Sequence, residues 1–266
     1  MRQKAAARKL MFLVHYGHMR KETALGAIAG VFILGGVIFY AATRPAPSQA
    51  PASPLGDTSY VEHAQYYDIA ANYASSTPLA GSANTTAVVQ MKQFVSDTIA
   101  QFKTDGNFAN LTAADITTLG LDRGRKETLE IKYLMASSPR TISYIFTVYE
   151  DTLGAHGNTF FHTFTFDTST GAPLALADLF APGSDYLATL SALSRAKLPK
   201  IIGDNGNAQM LESGTTPDAK NFSDFFFDNH NLVVLFDPYK VAPYSSGPQT
   251  LYIPTSELAS ILKPGY

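Results

Sequence analysis

GAHGNTFFHTFTFDTSTGAPLALADLF, residues 154–180, is the stretch around which the rest of the chain is organised. Within it, the even-numbered positions of residues 159–167 carry three phenylalanines and a histidine, and the odd-numbered positions carry mostly hydroxyls. This period of two predicts a half-buried β-strand. Asp167 to Gly171 follows with side-chain oxygens and a glycine, which favour a turn.

A second alternating run precedes the first, at residues 141–148. The two runs are joined by the polar, glycine-containing segment 150–158, so we expect them to pair as antiparallel neighbours. Predicted strands also occupy part of residues 60–73, and residues 127–135, 221–227, 232–236 and 250–253. Predicted helices begin after a cap at Thr85 or Thr86, after a cap at Ser184 or Asp185, and at residue 256, with a short helix or loop after Thr112.

This order of elements indicates the α+β class: an antiparallel sheet with two or three helices packed on it, preceded by one transmembrane helix. The chain has 266 residues, of which 45% are apolar, enough for one sizeable core. It contains no cysteine, which excludes disulfides, thiol catalysis and cysteine zinc sites. The folded part is acidic and lacks a basic stripe, which argues against a nucleic-acid partner.

The N-terminal quarter predicts a membrane tether. Residues 1–23 form a short basic tail, residues 24–43 an uncharged apolar stretch of spanning length, and residues 44–56 a linker rich in Pro, Ala and Ser. The positive-inside rule places the tail in the cytoplasm and residues 57–266 outside, as a single-pass membrane protein. A retained signal anchor is preferred, and cleavage after small residues near Ala50 is the alternative.

A set of motifs follows the same order as in a known bacterial family. They include Gly154 to Gly157, Phe166-Asp167, Leu176 to Phe180 and Phe236 to Tyr239. The chain resembles the extracytoplasmic domain of unknown function of RsiV-type lysozyme-sensing anti-sigma factors, which is related to a domain preceding some peptidoglycan deacetylases. Leu153 stands where the family often has a further glycine. The resemblance implies a lysozyme-like envelope protein or a peptidoglycan-related polymer as partner, and no sigma-binding segment fits the short tail.

Two segments supply the candidate binding residues. The first is the loop with Gly154, His156 and Gly157, and the second is the stiff segment DPYKVAPYSSGPQTLYIP, with Tyr239 and Tyr244. Tyrosine on a rigid loop gives contact area at low entropic cost. We expect Tyr244 to be exposed and Tyr239 buried. The alternative interpretations are a histidine that bonds across its hairpin, and tyrosines that close the core.

The remaining ionisable residues favour structural roles. His162 shares a face with the phenylalanines, which is typical of a packed histidine. The carboxylates with turn residues beside them are expected to cap backbone amides in preference to acting as an acid/base pair; these are Asp151, Asp167, Asp178 and Asp237. The scattered histidines match no metal motif, so no metal, cofactor or catalytic residue is assigned.

Two hypotheses of function remain. The preferred one is a membrane-anchored, non-enzymatic binding or sensing module of the bacterial cell envelope. The alternative is an accessory or catalytic domain, hydrolase or deacetylase associated, that acts on cell-wall glycan. A pocket that unites His156 with carboxylates would favour the enzyme, and a flat aromatic patch would favour the binding module.

Overall fold

The computed structural model describes residues 57–266. The predicted tail 1–23, membrane span 24–43 and linker 44–56 lie outside the described residues. Among the helices of residues 57–266, none combines the length and the apolar character that a membrane span requires.

The described chain forms a mixed α+β fold. Its strands are β1 (Asp57–His63), β2 (Tyr67–Ala74), β3 (Glu127–Ser137), β4 (Thr141–Asp151), β5 (Asn158–Asp167), β6 (Phe225–Phe227), β7 (Asn231–Phe236) and β8 (Gln249–Pro254). Its α-helices are α1 (Gly81–Gly106), α2 (Ala113–Leu119), α3 (Tyr186–Ile202), α4 (Ala208–Gly214) and α5 (Thr255–Leu258). The α+β class predicted from the order of elements is therefore confirmed.

The strands form two sheets, one of five strands in the order β1-β2-β3-β4-β5 and one of three in the order β6-β7-β8. The predicted β4–β5 hairpin is present, with Phe146 opposite His162. The prediction of a purely antiparallel sheet is wrong, because β2 and β3 run parallel. The intervening segment contains α1 and α2, and a crossover of this length is what returns a chain to the starting end of a sheet.

Three helix starts can be compared with their predicted caps. α1 begins at Gly81, after Ala80, which provides no side-chain cap, so the predicted start at Thr85 or Thr86 is wrong. The side chain of Asn84 instead accepts hydrogen bonds from Thr77. α2 begins after Thr112 as predicted, with a reciprocal capping box to Asp115. α3 begins after Asp185, one of the two predicted caps.

The C-terminal third also departs from prediction at two places. The strand predicted at residues 221–227 is limited to β6, because Asp218 caps a 3-10 turn that occupies Ala219–Phe222. The final helix begins at Thr255 and is four residues long, shorter than predicted. The β7 and β8 predictions are correct to within a residue at each end.

Each sheet has its own hydrophobic core. α1 covers one face of the five-stranded sheet and buries Ala87, Met91, Val95 and Phe102 there, whereas Val89 faces solvent with 57% exposure. α3 packs on the three-stranded sheet around Leu190 and Leu198. Each helix therefore covers one face of its sheet with its own apolar face.

Side chains join the two sheets along the edge of β5. Ser143 donates to Thr165 at 2.9 Å, and Thr165 donates to the carbonyl of Phe225 at 3.1 Å. The amide of Phe225 donates in turn to the hydroxyl of Thr163 at 3.0 Å. The two inner residues of this relay, Ser143 and Thr165, are buried, so their hydroxyls are satisfied by one another and by the backbone of β6.

Candidate functional site

The loop between β4 and β5 presents His156 at the surface. Its Nδ1 lies 2.8 Å from the carbonyl oxygen of Gly157, and its Nε2 lies 3.2 Å from the hydroxyl of Tyr239. A carbonyl only accepts, so Nδ1 carries the proton in the neutral ring, and Nε2 accepts from the Tyr239 hydroxyl. The histidine is therefore held at both nitrogens and has a fixed orientation.

Tyr244 lies beneath this histidine. The imidazole stacks on the Tyr244 ring with 3.7 Å between centroids and 18° between planes, and the Tyr244 hydroxyl donates to the carbonyl of Gly157 at 2.7 Å. A Cβ at Gly157 would lie 2.3 Å from the Tyr149 hydroxyl, so a larger residue here would displace the Tyr149 ring. Gly154, by contrast, is exposed and has open space around it.

The structure thus brings together four of the five predicted binding residues, from segments about 80 residues apart. We refer to His156, Tyr239 and Tyr244 as the aromatic cluster. The ring centroids of Tyr239 and Tyr244 are 5.6 Å apart, and those of His156 and Tyr239 are 6.3 Å apart, with 32° between planes in both pairs. His156 and Tyr244 are therefore stacked, and Tyr239 is tilted against both.

The predicted exposure of the two tyrosines is reversed. Tyr239 is 46% exposed, whereas Tyr244 is half-buried under His156. Tyr239 has a positive φ of 68°, and the amide of Lys240 donates to the carbonyl of Asp237 at 3.1 Å. This closes a four-residue turn with proline second and a positive φ at the third position, where glycine or asparagine is usual. The turn projects Tyr239 outward.

Backbone strain is concentrated at this site. In the described residues three non-glycine residues have positive φ: Asn107, Leu153 and Tyr239. Asn107 is an ordinary helix C-cap. The other two flank His156, one in its loop and one in the adjoining turn. Strained backbone persists where surrounding structure enforces it, and it is more frequent at functional sites than elsewhere.

Two half-buried carboxylates, one of them in the turn of Tyr239, accept hydrogen bonds from the backbone of β5. Asp237 accepts from the amide of Phe161 at 2.8 Å, and Asp224 accepts from the amide of Thr163 at 3.1 Å. Burial raises the pKa of Asp224, and burial with the nearby Asp224 charge raises the pKa of Asp237 to about 6, while Lys240 opposes both shifts. These carboxylates protect the backbone of an edge strand from pairing with another chain.

The other predicted carboxylates serve as caps in the structure. Asp151 accepts from the amide of Leu153, and Asp178 from the amide of Ala175. Asp167 accepts from two amides of its turn, from Arg140 at 3.0 Å and from Tyr266 at 2.9 Å. Burial opposes ionisation of Asp167, but a hydrogen bond from the Ser169 hydroxyl and those just named prevail and hold its pKa far below the usual range. The acid/base pairing weighed from the sequence is not formed among these residues.

His162 occupies a packed position in the α1 core, as predicted. Its ring stacks on Phe94 with 4.4 Å between centroids, and burial lowers its pKa. His63 lies apart on β1, paired with Asp68 at 2.9 Å. Within residues 57–266 no three histidine or acidic side chains are grouped as ligands for a metal ion.

Two open clefts lie elsewhere on the described surface. One, of about 510 Å³, lies between α1 and β5 and has an apolar lining that includes Val89, Phe94 and Phe164. The other, of about 360 Å³, is lined by residues 255–266. Neither cleft includes a residue of the aromatic cluster. The cluster is an outward-facing surface and not part of either cleft.

Two residues of this region were missed from the sequence. Tyr149 packs against Gly157. Its position near the end of β4, close to the loop of His156, could have identified it as a neighbour of that loop. Asp224 directly precedes β6 and was read only as part of a strand. Its contact with Thr163 spans 61 residues, which no local pattern reveals.

The fold and the site define an α+β domain with a surface aromatic cluster. Residues 177–256 match the family described as a protein of unknown function, DUF3298. The match includes Tyr239 and Tyr244, but it begins after the loop that carries His156. The resemblance inferred from the sequence motifs is thereby confirmed.

Two curated relatives share part of the chain. The peptidoglycan-N-acetylmuramic acid deacetylase PdaC of Bacillus subtilis strain 168 is 33% identical over 143 residues, which are 53% of this chain and 31% of the deacetylase. Immunogenic protein MPT64 of Mycobacterium tuberculosis strain H37Rv is 24% identical over 131 residues, 49% of this chain and 56% of MPT64. The matched regions thus span well under two thirds of either relative.

Solved structures support the fold. A DUF3298 family member from Bacteroides fragilis NCTC 9343 superposes with a TM-score of 0.54 at 17% identity, covering 79% of this chain and 94% of that chain. A DUF3298 family protein from Pseudomonas aeruginosa PAO1 gives a TM-score of 0.52 at 16% identity, covering 80% and 96%. At these identities the likeness concerns the fold alone.

Proposed function

We propose that this protein is a binding module of the bacterial cell envelope, which contacts an envelope component through the aromatic cluster. The observation that carries the proposal is the position of Tyr239: an exposed ring on a strained turn, bonded to a histidine that is itself held at both nitrogens. Aromatic side chains that are already ordered lose little entropy on binding.

The setting in the envelope is supported by the relatives and by the N-terminal sequence. The deacetylase relative is named for an activity on peptidoglycan. In our proposal, residues 24–43 anchor the protein in the membrane, residues 44–56 act as a spacer, and residues 57–266 lie on the outer side. The partner is an envelope protein, such as a lysozyme-like protein, or a peptidoglycan-related polymer.

The similarity to a deacetylase favours a second candidate, an accessory or catalytic domain acting on wall glycan. A catalytic role needs a general base near a reacting centre. His156 instead contacts a carbonyl and two tyrosine rings, and Asp224 and Asp237 bond to backbone amides of β5. This geometry supports the binding module over the enzyme.

The test is capture of envelope components by the full chain, purified in a mild detergent. Bait proteins are the wild type, His156→Ala, Tyr244→Ala and the control Tyr60→Ala, which removes a 38% exposed tyrosine from β1 at the far edge of the same sheet. We expect the first two variants to lose a component that wild type and control retain. Equal recovery of every component by all four proteins would contradict the proposal.

A further inference from the structure

The aromatic cluster offers two adjoining ring faces to solvent. His156 covers Tyr244 and is itself exposed, and Tyr239 lies beside it with its plane inclined by 32°. The rings of His156 and Tyr239 are held together, because the Tyr239 hydroxyl donates to Nε2 of His156. The Tyr244 ring beneath His156 is held by the hydrogen bond from its hydroxyl to the carbonyl of Gly157. The result is a rigid aromatic platform of two ring faces inclined to each other.

The platform has rigid support from behind. The turn that carries Tyr239 is bonded to β5 through Asp237. On its other side the carbonyl of Lys240 packs on α4 at Gly214, where a Cβ would lie 2.0 Å from the carbonyl oxygen. A ligand therefore meets a preformed surface and does not have to order it.

Polar groups border the platform. Asp151 lies close enough for its charge to contribute to the raised pKa values of Tyr149 and Tyr244, in which burial is the larger cause. Asn158 is exposed at the start of β5, directly after Gly157. A carboxylate accepts hydrogen bonds only, and an amide side chain both accepts and donates. The hydroxyl groups of a sugar both donate and accept, so they can bond to either side chain.

We propose that the aromatic cluster binds a sugar chain, with pyranose rings stacked on Tyr239 and His156 and their hydroxyls bonded to Asp151 and Asn158. One face of a pyranose is made of C–H groups that pack on a ring, while its rim is polar. The inference rests on the proposed function and narrows its partner to a polysaccharide. A protein partner would more typically use an anchor buried in a pocket, and the aromatic cluster contributes to neither described cleft.

The experiment titrates the full chain with chitotetraose and with cellotetraose by isothermal calorimetry, in a detergent without a sugar head group. Both ligands share the pyranose chain, and only the first carries acetamido groups. We expect saturable binding of at least one. Tyr239→Ala should weaken it about tenfold or more, and Tyr239→Phe should weaken it less, because the ring face is retained and only the hydroxyl bond to His156 is lost. The control Tyr60→Ala should bind as the wild type does.

Two results would overturn the inference: no saturable binding of either sugar up to about 10 mM, or binding that is unchanged in Tyr239→Ala. The thermal unfolding of each variant is measured alongside, so that a misfolded protein is not scored as a binding defect. If no sugar binds but an envelope protein is captured in a His156-dependent manner, the sugar inference fails and the proposed function stands. If neither is captured, both fail.

Discussion

The carboxylate of Asp237 accepts a hydrogen bond from the backbone amide of Phe161 at 2.8 Å, across 76 residues of chain. This contact ties the turn of Tyr239 to the exposed edge of β5. Asp237→Ala leaves the amide without its acceptor, and we expect it to be about 1–2 kcal/mol less stable than Asp237→Asn, which retains an oxygen at the same place.

Urea unfolding measures this difference, and hydrogen exchange locates it. The amide of Phe161 should exchange faster in Asp237→Ala than in Asp237→Asn, whereas the amides of the β7–β8 ladder should be unaffected. Equal exchange at Phe161 in the two variants would show that the carboxylate does not hold this edge.

We expect the stability of the protein to depend on pH through the carboxyl group of Glu127. It is 5% exposed at the start of β3, and burial together with the charges of Asp151 and Glu150 raises its pKa from 4.5 to about 7. The folded state therefore holds this proton more tightly than the unfolded state. The stabilisation that the protonated Glu127 contributes is complete below about pH 4.5 and is lost as the pH rises through about 7.

Glu127→Gln removes the charge while keeping the shape. We expect it to raise the free energy of unfolding by about 1–2 kcal/mol at pH 8 and to have little effect at pH 4.5. The control is Glu130→Gln on the same strand, whose carboxylate is paired with Lys132 and 44% exposed. Parallel pH profiles for wild type and Glu127→Gln, measured by urea unfolding, would refute the assignment.

Leu153 adopts a φ of 59°, a conformation that glycine reaches without strain. This explains why the related family often has glycine here. Leu153→Gly should stabilise the protein by about 0.5–1 kcal/mol, since relief of strain outweighs the added freedom of the unfolded chain. Leu153→Ala keeps the strain and should not be more stable than wild type. A lower melting temperature for the glycine variant would count against this account.

The sequence predicts those parts of the fold that depend on local periodicity. The alternation identifies β4 and β5 as strands, and the short segment 150–158 between them identifies their antiparallel pairing. The alternation does not define the partner of β2, whose parallel pairing with β3 is made across α1 and α2. The start of α1 was missed because Ala80 and Gly81 carry no capping side chain.

The candidate site shows the same division. Glycines around a histidine and a segment rich in proline and tyrosine could be recognised from the sequence, but the stacking of His156 on Tyr244 could not. The reversed exposure of the tyrosines has a specific cause: Pro238 and Tyr239 occupy a turn that normally requires glycine or asparagine at the third position. Composition alone gives no sign of that φ.

The strain at Tyr239 leads to a prediction that separates stability from binding. Asparagine tolerates positive φ better than tyrosine, and the tyrosine ring is nearly half exposed, so its removal loses less packing than removal of a buried ring. Tyr239→Asn should therefore be about 0.5–1 kcal/mol more stable than wild type. If the ring is retained for contact with a ligand, the same variant should no longer capture the envelope component.

Thermal unfolding tests the predicted gain in stability, and the capture assay on the same preparation tests the predicted loss of binding. Tyr252→Asn is the comparison, because it removes a tyrosine of 38% exposure from β8, where no positive φ has to be relieved. It should be no more stable than wild type and should capture normally. A Tyr239→Asn protein that is less stable than wild type would remove the argument from strain. One that is more stable and still captures its partner would show that the strained ring is not used for binding.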